Sequence, residues 1–439
     1  MNKTVIQRKN ILLGLTFKGI SISLSFLIVP MLILFLGKTE YGVWVTVFSI
    51  INWIFTFDIG IGQGLRNKLT EALSVNNYKK ASEIVATAYI FIIAFSIVIF
   101  LIGSLLIYFL NFQDILNYKE QTNSFLQKFV FLSLFFTVIN FILSLYKKLY
   151  LSVHKSFSVE VINLFFQIFY LAVVLLWMFF ELEKSLISLI IIFGLGNCIV
   201  AVIATIVFFK LQKKIAFSFY NFNFTEGKQL FGLGIKFFII NMCLLVILST
   251  DNIIISKLLG PSFVTDYFTV QKAFQFLIVV FTVVLTSSWS LYSDAIINKD
   301  FIWIKKNFKK MNFYFLGILF FGFLIFCFIE DILNIWIGEN VIKLPENLAF
   351  FNLIYVLLFC YTNIYMFFIN ASNRMNLQMY LYVFGAILNV PLSIFLVNYI
   401  GNSTGVILST IICFLPLFIL MPLQSHNIIK KLNETSLQS

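Results

Sequence analysis

The chain has 439 residues, of which 60% are hydrophobic and 11% charged, and its net charge is +12. Soluble proteins carry about 45–50% apolar and about 25% charged residues, so this chain lacks the charge to solvate a globular surface of its size. A soluble enzyme, a secreted disulfide scaffold and a disordered chain are excluded, and the positive surplus belongs to the edges of a membrane body.

A bilayer-crossing helix needs about 20 largely apolar residues. In chain order such runs fall at 11–36, 41–60, 84–110, 125–146, 157–180, 185–209, 232–257, 263–290, 311–330, 348–370, 376–398 and 403–423. The first run exceeds the about 7–15 residues of a signal-peptide core and has no small-residue cleavage site, so it is expected to be a retained span. The expected fold class is an all-α integral membrane protein with twelve transmembrane helices. The segments between the runs are too short for a second domain.

Lysine and arginine in short loops set orientation. With the N-terminus cytoplasmic, 22 of the 31 basic residues lie in cytoplasmic segments, six lie opposite and three lie within spans. No loop breaks the alternation, so both termini are expected to be cytoplasmic. The same inner segments hold seven acidic residues. The bulk charge is therefore mainly a topology signal, and no nucleic-acid partner is expected.

The two halves of the chain repeat one pattern. Gly14-Leu15-Thr16-Phe17-Lys18 opens the first span, and Gly232-Leu233-Gly234-Ile235-Lys236 opens the seventh. Leu36-Gly37 closes the first, and Leu259-Gly260 closes the seventh. Two six-helix bundles are expected, 1–215 and 216–439, related by an axis along the membrane normal, with a cavity between them. A basic cytoplasmic linker follows the second span of each half. In the first linker Leu65, Leu69, Ala72 and Leu73 fall at i, i+4, i+7 and i+8, the pattern of an amphipathic helix lying on the inner membrane surface.

The chemistry-bearing residues are few. The five cysteines form no CxxC pair and are expected to be buried apolar fillers; His154 and His426 are far apart. No P-loop, HExxH or dinucleotide fingerprint occurs. No metal and no cofactor is expected, beyond coupling to Na+ or H+.

A lysine deep in the bilayer costs about 2.5–3.5 kcal/mol and almost always faces a cavity. Lys18, Lys236 and Lys272 lie inside spans. Each can snorkel to a headgroup, or together they can make a cationic lumen, where lysine suits phosphate as a point charge. Gln271 and Gln275 flank Lys272. Asp58 ends the second span and Asp251 lies in the seventh. Both are candidates for ion coupling, with an interfacial carboxylate as the plainer reading. Polar stripes run through Ser49, Asn52, Thr56 and Gln63, through Ser133, Thr137, Asn140 and Ser144, and through Gln378, Tyr382, Gly385 and Asn389. A hydrated lumen and interhelical hydrogen bonding both produce such stripes.

The most specific string is Asp58-Ile59-Gly60-Ile61-Gly62-Gln63-Gly64-Leu65-Arg66-Asn67-Lys68-Leu69. It resembles the motif after the second span in polysaccharide-export proteins of the MOP flippase superfamily. The later stretch Ser288-Trp289-Ser290-Leu291-Tyr292-Ser293-Asp294-Ala295, with Asp300 and Trp303-Ile304-Lys305-Lys306, is similar to the matching family segment. The resemblance implies a Wzx-type O-antigen or capsule flippase with two six-helix bundles in a MATE-like V and alternating access. Its substrate would be an undecaprenyl-pyrophosphate-linked oligosaccharide, moved from the cytoplasmic to the outer leaflet of a bacterial inner membrane.

In that reading Lys18, Lys236 and Lys272 attract the pyrophosphate, and Asn52, Thr56, Gln63, Gln271 and Gln275 contact the glycan. Arg66 and Lys68 meet the headgroup on the cytoplasmic side. Membrane lipids and other polysaccharide-assembly proteins are the implied partners. The rival readings are a MATE-like multidrug or cation antiporter and a polytopic glycan polymerase or ligase. The first would prefer acidic lumen residues, and the second a long outer loop.

Overall fold

The computed structural model describes residues 3–58, 61–153, 155–215, 222–224, 235–297, 299–372 and 374–438. Among these residues there are helices and no strands. Eleven of the helical stretches are long and apolar enough to cross a membrane. The chain divides into two compact units, Met1–Phe238 and Ile239–Ser439.

The first unit contains α1 (Lys3–Leu36), α2 (Lys38–Ile51), a 3-10 segment (Asn52–Asp58) and α3 (Ile61–Ser74). It continues with α4 (Tyr78–Phe109), α5 (Phe112–Leu116), α6 (Asn123–Leu143), α7 (Leu145–Ser152), α8 (Ser156–Phe179) and α9 (Leu186–Leu211). Side-chain caps fix several starts: Asn77 accepts from the Lys80 amide, Thr122 from Phe125, and Ser185 and Ser188 form a reciprocal capping box. Each cap satisfies an amide that would otherwise lack a partner in the first turn. The apolar faces then close on one another, α1 against α8 and α6 against both α4 and α9.

Two expectations need correction here. The run 41–60 is not one helix. α2 stops after 14 residues, too short by itself to cross a bilayer, and the chain continues as a 3-10 segment from Asn52. The amphipathic linker helix does form, as α3, but protein covers its apolar face. Leu65 and Leu69 are fully buried, and α3 packs against α4 and α7. The Thr70 hydroxyl donates to the Ser152 carbonyl at 3.0 Å. Periodicity marks an apolar face without saying what covers it.

The second unit contains α10 (Ile235–Leu259, which begins just before the division), α11 (Pro261–Ile297), α12 (Phe301–Cys327) and α13 (Ile329–Ile337). It ends with α14 (Leu348–Ala371), α15 (Asn376–Ile400) and α16 (Thr404–Gln438). α11 packs on α12 and α14, and α16 packs on α14 and α15. The repeated Leu-Gly pair has the same backbone role in both units. Gly37 and Gly260 have φ of 79° and 110°, and each joins one long helix to the next. Only a residue without a Cβ adopts that region at little cost. Cys360 and Cys413 are buried as expected; Cys198 and Cys243 are half-buried, and Cys327 is exposed.

Candidate functional site

A polar cavity of about 150 Å³ lies inside the first unit. Its walls come from three expected spans. Asn52 and Phe55 stand three residues apart on the 3-10 segment, where side chains at i and i+3 eclipse, and both line the cavity. Thr137 and Asn140 enter from α6, and Asn197 and Phe193 from α9, each pair on one helical face. Phe48, Ser144, Tyr146, Lys147 and Ala201 complete the lining.

Two of the three spans are interrupted beside the cavity. α2 gives way to the 3-10 segment at Asn52. The fourth span breaks at Ser144, whose hydroxyl donates to the Phe141 carbonyl at 2.7 Å and whose carbonyl accepts from the Lys147 amide at 3.0 Å. Breaks in a helix are tolerated in a membrane bundle where the backbone lines a cavity rather than lipid. Asn140 Oδ1 accepts from Cys198 Sγ at 3.8 Å. Among the described residues the side chains of Asn52, Thr137 and Asn197 make no hydrogen bond, and Lys147 makes no ion pair. Thr137 is buried, Asn197 half-buried and Asn52 exposed, so these groups are open to partners that enter the cavity.

The polar stripes thus separate into two kinds. Asn52 of the first stripe meets Thr137, Asn140 and Ser144 of the second around one cavity. Beyond that point the backbone changes period in the 3-10 segment, and Gln63 belongs to the separate helix α3. The third stripe is helix packing. Gln378, Tyr382 and Asn389 are buried, Asn389 Nδ2 donates to Ser409 Oγ and Thr410 Oγ1, and Ser409 Oγ donates to the Asn389 carbonyl.

In the second unit the decisive group is Asp251 on α10, which is 1% exposed. Tyr267 of α11 donates its hydroxyl to Asp251 Oδ2 at 2.8 Å, and Gln271 Nε2 donates to the Tyr267 hydroxyl at 3.3 Å. Asp251 Oδ1 has no hydrogen-bond partner among the described residues. Lys272, the next residue after Gln271, is half-buried with Nζ 5.8 Å from the centre of the Phe268 ring. Gln275 is exposed.

Lys18 is exposed on α1, while Ser21, three residues on, is buried. Arg66 is exposed and Lys68 half-buried on α3. The side chains of Thr56, Asp58, Gln63 and Lys236 lie outside the described residues. Within the second unit the structure therefore brings together Gln271 and Asp251, through Tyr267.

Outside the spans, the Tyr118 hydroxyl lies 3.3 Å from both Glu40 Oε1 and Glu120 Oε2, and Gln121 Nε2 donates to Glu40 at 3.4 Å. Burial pushes the Glu40 carboxyl above its usual range, opposed by hydrogen bonds from Gln121 and Tyr118. The Tyr118 hydroxyl is pushed up by burial and then by the two carboxylates.

Lys147, Tyr267 and Asn197 are among the residues that the sequence does not single out, and the first two left a signal. Ser133, Thr137, Asn140 and Ser144 continue at helical spacing to Lys147. Asp251 and Tyr267 stand about nine and about seven residues on either side of Gly260, which puts them at similar depth in a helical hairpin.

Over 96% of its length the chain superposes on 99% of a multidrug-resistance MATE family transporter of the MOP superfamily in an inward-facing conformation, with TM-score 0.76 and 11% identity. The fold is that of the MATE transporters. A Vibrio cholerae MATE transporter, as an aspartate-to-asparagine mutant, matches with TM-score 0.64 and 11% identity over 97% of this chain and 98% of that one. A putative O-antigen export protein of Yersinia pseudotuberculosis is 26% identical over 289 residues, 63% of this chain. The match spans 62% of that relative's length. No family model matches the chain. The relatives are an export protein and transporters, not enzymes.

Proposed function

We propose that this protein is a flippase that carries an undecaprenyl-pyrophosphate-linked oligosaccharide, an O-antigen or capsule repeat unit, across a bacterial cytoplasmic membrane. The observation that carries the reading is the pairing of a MATE-type fold with similarity to an O-antigen export protein. The chain crosses twelve times with both ends cytoplasmic, in two six-helix bundles, 1–215 and 216–439. α2 and the 3-10 segment together reach about 35 Å, taking about 1.5 and about 2.0 Å per residue, against a hydrocarbon core of about 30 Å. That length supports a second span even though α2 by itself is too short.

Lys18, Lys236 and Lys272 attract the pyrophosphate, and Gln271 and Gln275, with Asn52, Thr56 and Gln63, contact glycan. Arg66 and Lys68 meet the headgroup at the cytoplasmic face. Alternating access moves the polar part through the protein while the lipid tail stays in the bilayer. Asp251 is the stronger candidate for ion coupling than Asp58. A fully enclosed carboxyl with one free oxygen either holds a proton or meets a cation.

The test is complementation of surface-glycan assembly. Lys18→Ala and Lys236→Ala should each lose it while the protein still inserts; full activity in the double variant refutes the assignment. The solved structures that share the fold include a multidrug transporter, which favours drug and cation efflux as the second reading. Drug resistance on overexpression, without loss of glycan export in a deletion strain, would favour that reading instead.

A further inference from the structure

We propose that the cavity between α2, α6 and α9 is a subsite for one sugar unit of the transported glycan, with an acid group of that sugar directed at Lys147. This deepens the flippase reading and rests on it for the source of the sugar. The cavity belongs to the first unit by itself.

Size comes first. A buried water needs about 10–15 Å³ of such space, so a cavity of about 150 Å³ replaces roughly ten waters with one molecule of about a dozen non-hydrogen atoms. A single pyranose ring has that size; a disaccharide does not fit.

Chemistry comes second. The lining alternates aromatic and polar groups, the combination that holds a sugar by ring faces and hydroxyls. Phe48 and Phe193 present apolar surface, with ring centroids 5.3 Å apart in an edge-to-face pair. The amides of Asn52 and Asn197 and the hydroxyl of Thr137 make no hydrogen bond within the described residues, and each amide both donates and accepts. A set of unpaired donor–acceptor groups suits vicinal hydroxyls, which also do both. Inorganic phosphate near neutral pH carries only one or two O–H donors among its oxygens, fewer than the hydroxyls of a sugar, and so satisfies the amide oxygens less well.

Charge comes third. Lys147 lines the cavity while Glu160, which acts on it electrostatically, does not. The ammonium lies 5.9 Å from the centre of the Tyr146 ring and offers three donors and no acceptor, so it suits an acceptor of the ligand, for which a carboxylate gives the stronger bond. The breaks at Asn52 and Ser144 set these groups at the cavity rather than in the regular helical register.

The test uses the purified full chain in lipid nanodiscs, titrated with D-glucuronate, D-glucose and inorganic phosphate. Glucuronate should bind about tenfold tighter than glucose, the factor one charge-assisted hydrogen bond confers, and phosphate more weakly than glucuronate. Lys147→Met should raise the glucuronate Kd to that of glucose and leave glucose binding in place. Asn197→Leu, which fills the cavity, should abolish both. Asn52→Ser, which keeps the space and removes the amide, should weaken both sugars together and guards against a misfolded Asn197→Leu protein.

Absence of saturable sugar binding overturns the proposal, as does phosphate binding equal to glucuronate, or affinities unchanged in the Lys147 and Asn197 variants. The flippase reading fails separately. Sugar binding with intact surface glycan in a deletion strain would leave the subsite standing and remove its assigned role. Lost glycan export with no sugar binding would do the reverse.

Discussion

Replacing Tyr267 by phenylalanine deletes one oxygen atom and leaves the ring packing unchanged. The deleted hydroxyl donates to Asp251 Oδ2 at 2.8 Å, and Asp251 Oδ1 has no hydrogen-bond partner among the described residues. The variant therefore leaves a whole carboxyl group unpartnered at a position 1% exposed. Two magnitudes bracket the effect. Hydrogen bonds between membrane helices average about 0.6 kcal/mol and reach about 1.7 kcal/mol in double-mutant cycles. Hydrogen bonds to a charged group are worth about 1.5–3 kcal/mol.

The cycle of Tyr267→Phe, Asp251→Leu and the double variant isolates the pair, read as reversible unfolding in mixed micelles. A coupling near 0.6 kcal/mol identifies Asp251 as a protonated acid, and one above about 1.7 kcal/mol identifies it as a carboxylate. Repeating the cycle with and without Na+ then separates a proton from a metal cation. A coupling indistinguishable from zero would refute the hydrogen bond as an energetic feature and remove Asp251 from the coupling argument.

Three further predictions concern the scaffold. A Cβ at Gly194 of α9 would fall on the Phe136 ring of α6, so Gly194→Ala should cost about 1–3 kcal/mol by overpacking, and Phe136→Leu in the same chain should recover part of that in the same unfolding assay. Gly37→Ala and Gly260→Ala, at left-handed φ, should each cost roughly 1–2 kcal/mol; equal stability of either variant would show that the turn relaxes. Glu40 has a raised carboxyl in the fold because burial disfavours its charge. Its contribution to stability is therefore present below its unfolded value of about 4.3 and lost as pH rises through the folded value. Glu40→Gln should flatten the decline in thermal stability above about pH 4.3, and a decline as steep as in wild type would contradict this.

The apolar runs and their order are legible in the sequence because hydropathy is a property of each run by itself. The interruption at Asn52 is not, since neither glycine nor proline stands there to announce it and the helix changes form through packing. Among the stripes, spacing identified the faces of Thr137 and Asn140 and of Tyr382 and Asn389 equally well. Only tertiary contacts show that the first pair opens on a cavity while Asn389 bonds to Ser409. Lys147 was legible by extending its stripe one step, and was obscured because a paired lysine beside a loop also reads as an orientation signal. The partner of Asp251 was legible from symmetric counting about Gly260. Charge counting does not see it, because the partner is a tyrosine.

The central claim is translocation of a lipid-linked glycan. Its most direct test is purified protein in sealed proteoliposomes carrying a fluorescently labelled undecaprenyl-pyrophosphate oligosaccharide, quenched from outside with a membrane-impermeant reductant. The account predicts that wild-type protein exposes the inner-leaflet pool to quenching and that Lys18→Ala and Lys236→Ala slow this strongly at equal reconstitution. Quenching no faster than in protein-free vesicles, or unaffected by both substitutions together, would contradict it.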